Sequence, residues 1–349
     1  MVDPRKLPGG LSTRIQAEDT TVGDGFDDKS WDMPLSLALS RQLTTGEVLC
    51  DMADEGHDDI VVCTADLGRP TQVHDFAQRF TERFYNFGIA ERNMISAAAG
   101  LATAGWTPYI SNYAFFLALM GCENIRNDIC YTNLPVRMVG THSGISMGFY
   151  GTSHHANEDI GTLRSIPNLT LMAPCDGTAI RSLIRSTADY QGPLYFRAGR
   201  GRETPVYEQE FTARIGGSNV LREGGDTTIF AIGIGVANAL AAAETLSQND
   251  GIEAAVVDCY SIRPLDVETV LKRSRPGGTV FTVEEHNITG GFGAAVAEIL
   301  ATNGVGCRLY RIGMPDEYSL LGPPTHLYRY YNLDGDGIAT TVRSVLAEH

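Results

Sequence analysis

From about Trp31 onward the chain alternates between two hydrophobic patterns. Short apolar runs closed by polar turns, such as DDIVVCTADL (58–67), TPYISNYA (107–114), PVRMVGTH (135–142), NLTLMAPCD (168–176) and PLYFRAG (193–199), predict buried strands. Between them lie stretches with helical spacing: 36–55, GIAERNMISAAAGLATAG (88–105), FFLALMGCENIRNDICY (115–131) and GTAIRSLIRSTADY (177–190). Strand and helix in alternation imply a mainly parallel sheet covered on both faces. A Gly-, Arg- and Pro-rich stretch, GRGRETPVYEQEFTARIGGSN, interrupts this rhythm, and a second cycle follows. Its strands are predicted in DTTIFAIGIG, AAVVDCY, GTVFTVEEH and CRLYRIG. Its helices are predicted in ANALAAAETLSQ, GAAVAEILATNG and after DGDG.

The fold class expected is therefore α/β, with two domains that are each a mainly parallel sheet flanked by helices. The expected boundaries are an N-terminal extension over 1–30, a first domain over 31–205, a linker over 206–219 and a second domain over 220–349. At 349 residues the chain is long for a single core, which agrees with two domains. No repeat or low-complexity tract is visible.

Charge narrows the function. A formal net charge of −15 argues against a general binder of nucleic acid or anionic membrane, which needs a basic face. A local basic pocket for an anionic metabolite stays compatible with it. No apolar run approaches the roughly 20 residues of a membrane span. The polar first 30 residues lack a secretory pattern. The 7 cysteines are odd in number, scattered and never spaced as CxxC, the usage of a reducing compartment, so cytoplasm is expected.

One residue asks for an explanation. Glu91 stands near the start of an Ala- and Gly-rich apolar helix, where a carboxylate is costly unless something pairs with it. As an acid at a helix start it is favoured by the macrodipole. The surrounding motifs supply a second reading. GIAERNM, followed by GLATAGWTPYISNYAFF, resembles the pyrimidine-binding domain of the transketolase family of thiamine diphosphate enzymes. The resemblance continues through ENIRNDICYTNLPVRMVGTHSG, GTSHHANEDIGTLRSIPNLTLMAPCD and PLYFRAGRG. It reaches the family's C-terminal domain in EEHNITGGFG, and so covers nearly everything from residue 31 onward.

The resemblance implies a site. Glu91 matches the carboxyl that activates the aminopyrimidine of thiamine diphosphate by hydrogen-bonding its ring nitrogen in a dry pocket. Tyr113 and Phe116 match the rings that line that pocket and exclude water. Phe115 and Met120 read better as an ordinary core stripe. His154 matches the active-site histidine of the Gly-x-Thr/Ser-His motif and His142 another at the pocket mouth, both able to donate to a substrate oxygen and shuttle its proton. A strand-end histidine such as His142 can equally cap backbone groups. His155 replaces what is commonly Gln. Arg197 matches an arginine that holds the substrate phosphate, and a buried structural salt bridge would suit it equally.

Three positions depart from the family pattern. Tyr150, after Phe149, stands where an acid commonly reads substrate hydroxyls, Met33 replaces an arginine, and Pro70 falls near an expected serine. The substrate is therefore expected to be less hydroxylated or unphosphorylated. Other motifs are set aside. The GDG at 23–25 lacks the Asn of a metal–diphosphate motif. NLDGDGIATTV has Val345 where a calcium loop needs Glu, and IGIGVAN lacks the third glycine of a dinucleotide fingerprint. Glu285 and His286 of EEHNITGGFG read as interface or structural groups.

Family members with a full-length chain carry a further domain with the Gly-Asp-Gly…Asn motif for magnesium and diphosphate. The resemblance thus implies that the cofactors are thiamine diphosphate and Mg2+, with the metal ligated by a separate N-terminal transketolase subunit. It implies two copies of each chain in a heterotetramer and transfer of a two-carbon ketol unit from a ketose (phosphate) donor to an aldose. The alternatives are a 2-oxo acid-using thiamine enzyme, similar to deoxyxylulose phosphate synthase or the beta subunit of pyruvate dehydrogenase, and a non-catalytic partner subunit.

Overall fold

The computed structural model describes residues 44–201 and 203–348. The expected 1–30 extension, the start of the first domain at 31, Met33, the GDG at 23–25 and the first part of the 36–55 helix lie outside the described residues.

Among the described residues two sheets form. The first contains β1 (Ile60–Thr64), β2 (Phe84–Asn86), β3 (Thr107–Tyr113), β4 (Arg137–Thr141), β5 (Thr170–Met172) and β6 (Leu194–Arg197). The second contains β7 (Asn219–Arg222), β8 (Thr227–Ala231), β9 (Ala254–Asp258), β11 (Thr279–Asn287) and β12 (Arg308–Met314), while β10 (Ser261–Arg263) belongs to the first. The spatial orders are β10-β5-β6-β4-β3-β1-β2 and β12-β11-β8-β9-β7. All pairs are parallel except β10 with β5 and β7 with β9, each an edge pair.

The central strands are apolar on both faces because helices cover both. Ile60, Val61, Val62 and Cys63 of β1 are all buried. The Glu91–Thr103 helix buries Ala98, Ala99 and Ala102 among its inward residues. Small side chains there let the helix axis approach the sheet closely. No helix among the described residues is long and apolar enough to cross a membrane.

Two features escape the sequence pattern. The 115–131 stretch is not one regular α-helix but a run of wide turns, Phe116–Met120 and Ile125–Cys130, around a short α-helical segment, Cys122–Asn124. Such widened turns shift the register of a helical face and occur often near functional sites. The second feature is β10, which leaves the second half of the chain to pair with β5, so the two units are stitched together by backbone hydrogen bonds.

The segment 203–218 contains no helix or strand and runs across both units. The backbone N–H groups of Val206 and Tyr207 donate to Asp176 Oδ2, at 2.6 and 2.9 Å. The Tyr207 hydroxyl donates to Asp258 Oδ2 at 2.6 Å. Asp258 is fully buried and its Oδ1 has no partner among the described residues. Burial, with a further contribution from nearby Asp176, pushes its carboxyl up to about 7. The ordinary unfolded value is about 3.9. Its contribution to stability is therefore fully present below about pH 4 and is lost as the pH rises through 7. Asp258→Asn keeps an acceptor for Tyr207 and cannot ionise. Between pH 5.5 and 8 the variant should gain about 2 kcal/mol over the parent, several degrees in melting midpoint. A gap between the two proteins that stays flat with pH would contradict this account.

Candidate active site

In a parallel α/β sheet every strand ends on the same edge, and ligands bind there. The sequence places its chemistry on that edge. Glu91 opens the helix that follows β2, Tyr113 ends β3, His142 follows β4, and Arg197 ends β6. Glu91 is 5% exposed, and no hydrogen bond or ion pair reaches its carboxyl among the described residues. A buried acid without a partner is costly, and such an exception asks for a ligand or a function.

After β3 and β4 the fold assembles a cluster of aromatic and imidazole rings. The Tyr113 ring lies 4.5 Å from that of His142, 5.9 Å from Phe116 and 6.2 Å from His154. Phe116 meets His154 edge-on at 5.3 Å, and Tyr150 tilts against His154 at 5.0 Å. Tyr113, Phe116, His142, His154 and Tyr150 therefore form one contiguous group. Burial is the main reason the Tyr113 hydroxyl is pushed up to about 12, so it stays protonated.

The histidines are oriented by neighbours. Thr141 Oγ1 donates weakly to Asn112 O at 3.4 Å, which leaves it to accept from His142 Nδ1 at 3.0 Å. Ser153 Oγ lies 3.4 Å from Tyr150 O and is hydrogen-bonded to His154 Nδ1 at 2.9 Å. Burial lowers the His154 pKa below its ordinary value, so the ring is mostly neutral at pH 7. His142 has φ +57°, a left-handed conformation that is strained for a residue with a side chain. Glycine Gly144, two residues on, helps the chain make the same sharp turn.

Arg197 is 2% exposed, and its Nε donates to both carboxylate oxygens of the fully buried Asp159, at 3.0 and 2.9 Å. Its Nη2 donates to Ala156 O and Glu285 O. Nε and Nη2 thus brace the structure, which favours the structural salt-bridge alternative for Arg197, while Nη1 has no partner among the described residues. His155 is also structural. It bridges Gly148 O and Ser319 Oγ, and burial is the main cause that brings its pKa down to about 4. Tyr150 remains half exposed at the rim of the ring cluster, beside Phe149.

Two relevant residues were not expected from the sequence. Asp159 is invisible as the partner of Arg197 because their contact spans 38 residues. Asn112, fully buried one position before Tyr113, has an Nδ2 donor without a partner among the described residues. Its signal is a polar amide inside the otherwise strand-like ISNY.

The arrangement suits a flat heteroaromatic cofactor better than a metal. An unpartnered buried carboxyl, two aromatic walls and a neutral imidazole fit an aminopyrimidine ring. Among the described residues no group of three or more His, Cys, Asp or Glu side chains could hold a metal ion.

Comparison with known proteins shows the family. The profile of the transketolase pyrimidine-binding domain matches residues 39–204, and that of the transketolase C-terminal domain matches residues 216–338. A putative transketolase C-terminal section from Methanocaldococcus jannaschii is 42% identical over 85% of this chain and 93% of its own length. 1-Deoxy-D-xylulose-5-phosphate synthase 1 from Geobacter sulfurreducens is 37% identical over 86% of the chain, which spans only 47% of that relative. Among solved structures, a split-gene transketolase described as an inactive beta4 tetramer superposes with a TM-score of 0.76 at 38% identity. That superposition covers 86% of this chain and 96% of the other.

Proposed function

The chain belongs to the transketolase family of thiamine diphosphate-dependent enzymes, and from that premise we propose that it is the pyrimidine-side subunit of a split transketolase. The reaction is transfer of a two-carbon ketol unit from a ketose or ketose phosphate to an aldose. The observation that carries this reading is Glu91, a buried residue whose carboxyl has no partner among the described residues, at the start of the helix after β2, together with the wall of rings that follows β3 and β4.

Thiamine diphosphate, when bound, supplies the electron sink that cleavage of a ketol carbon–carbon bond requires. Glu91 would hold the proton that bonds to the aminopyrimidine nitrogen. Tyr113 and Phe116 would hold the ring flat and exclude water from that contact. His154, mostly neutral and hydrogen-bonded through Nδ1, would have Nε2 as the nitrogen that takes and returns the proton of a substrate oxygen. His142 serves as a second donor at the mouth.

The partner is inferred from relatives. One close relative is named a C-terminal section, and a similar structure containing only beta chains is described as inactive. We infer a separate N-terminal subunit that binds the diphosphate and Mg2+, in an assembly of two copies of each chain. The compartment is the cytoplasm.

A second reading has its own support. Tyr150 and Phe149 replace the acid that would read sugar hydroxyls, and 37% identity links the chain to a deoxyxylulose phosphate synthase. A 2-oxo acid donor needs no such acid. The test is an assay of the complex of this chain with its N-terminal partner, thiamine diphosphate and Mg2+. A ketose phosphate and pyruvate are offered separately as donors to one aldose acceptor. Product from the ketose and none from pyruvate is expected; a preference for pyruvate would transfer the assignment to the second reading.

A further inference from the structure

The loop that carries His154 is held at its neck by the second domain. Gly144 and Ala156 close the neck by exchanging backbone hydrogen bonds, Gly144 N to Ala156 O at 3.2 Å and Ala156 N to Gly144 O at 2.9 Å. The incoming limb is tied to the end of β6 through His142 N to Gly199 O and Ser143 N to Ala198 O. The next donor on that limb, Ile145 N–H, turns the other way and donates at 2.8 Å to Oε1 of Glu285, a residue 140 positions away on β11. The Tyr328 hydroxyl donates to the same oxygen at 2.5 Å.

The outgoing limb is held from the same place. Arg197 Nη2 donates to Ala156 O at 3.1 Å and to the backbone oxygen of Glu285 at 2.8 Å. Gly144 fits this geometry and nothing larger does. A Cβ added there would lie 2.1 Å from Glu285 Cδ, and its φ is +60°. Glu285 is 4% exposed, so its carboxyl is sealed between the domains.

We propose that Glu285 is a positioning residue for the active site: its side-chain oxygen fixes the neck of the 142–156 loop and thereby sets where the His154 imidazole stands. The second domain is then part of the catalytic apparatus through one acceptor atom. Simple adhesion between domains is a weaker account, because adhesion is supplied elsewhere. β10 pairs with β5, Arg164 bonds Gly290 O and Glu298, and Gly161 N donates to His286 Nε2. Loss of the Glu285 acceptor leaves these in place and acts on the loop, where a displacement of about 1 Å at a reacting group can cost on the order of a hundredfold in rate.

The catalytic half of this inference rests on the ketol-transfer reading above; the structural half does not. The test uses the assembled complex with Glu285→Met, which fills the space without an acceptor, and Glu285→Gln, which keeps an amide oxygen for both donors. Amide hydrogen exchange is followed in peptides covering 143–156 and in the rest of the second domain, together with kcat and KM. For Glu285→Met, exchange in 143–156 should rise about tenfold or more while the second domain stays protected. Its kcat should fall roughly ten- to a hundredfold with KM little changed. Glu285→Gln should restore both.

Unchanged exchange in 143–156, loosening spread evenly over the second domain, or Gln as damaging as Met overturns the proposal. Should the Met variant fail to assemble, Glu285→Asp, with the acceptor withdrawn by one methylene, carries the same expectation in reduced size. If the parent complex transfers no ketol unit, the functional reading fails, and exchange in the loop still decides whether Glu285 holds it.

Discussion

Glu91→Gln should leave the assembled enzyme folded and lower its kcat about a thousandfold, within the range set by loss of one positioned acid. The carboxamide occupies nearly the same volume, so packing around the start of the Glu91–Thr103 helix is preserved. What disappears is the acid proton that an aminopyrimidine nitrogen would meet. Stability gives an independent check. Glu91 is 5% exposed and its carboxyl has no hydrogen bond or ion pair among the described residues, so the carboxamide breaks no contact there. The melting midpoint should hold or rise. A helix-start acid kept for the macrodipole predicts the reverse, a loss of about 0.3–1 kcal/mol with activity intact. Undiminished turnover would instead favour a subunit that supports its partner without contributing chemistry.

The residues legible in the sequence are those whose position follows from chain order. Glu91, Tyr113 and His142 each lie at or just after a strand end, and in a parallel sheet strand order alone brings those ends to one edge. His154 and Tyr150 followed from a motif in one loop, and the rings do meet. Residues whose role depends on distant partners were not legible. The partners of Arg197 are of this kind: Asp159 and the backbone of Glu285 take its Nε and Nη2 donors, and neither is near it in sequence. Glu285 itself sits in a motif that looked structural, and its target, Ile145 N–H, is a backbone group that no side-chain pattern reveals. The strands β2, β5 and β10 have only three residues each, too few for periodicity to distinguish from a turn. NLTLMAPCD announced β5 only because a longer apolar run surrounds it.

The second large effect concerns assembly. The isolated chain, given thiamine diphosphate and Mg2+ in excess, should show ketol transfer at less than about a thousandth of the rate of the complex with its N-terminal partner, the scale of losing one element of the catalytic machinery. The surface around the site argues for a missing wall. Ile89, two residues before Glu91, is 84% exposed, and Met120, at the end of the turn that holds Phe116, is 49% exposed and not the core residue its spacing suggested. Tyr85 and Tyr150 are also open to solvent, at 40% and 50%. Exposed large apolar groups on the segments that carry the proposed site suit a surface that another chain covers. Covering it would also dry the Glu91 pocket, which strengthens every hydrogen bond made there. Titrating the partner into the chain should therefore raise activity until the two are equimolar and no further. Cofactor should raise the melting midpoint of the complex by several degrees and that of the isolated chain by less than one, since stabilisation follows affinity. Full turnover by the chain alone would defeat the split-enzyme reading, because Glu91 and the ring cluster would then be sufficient without a second wall.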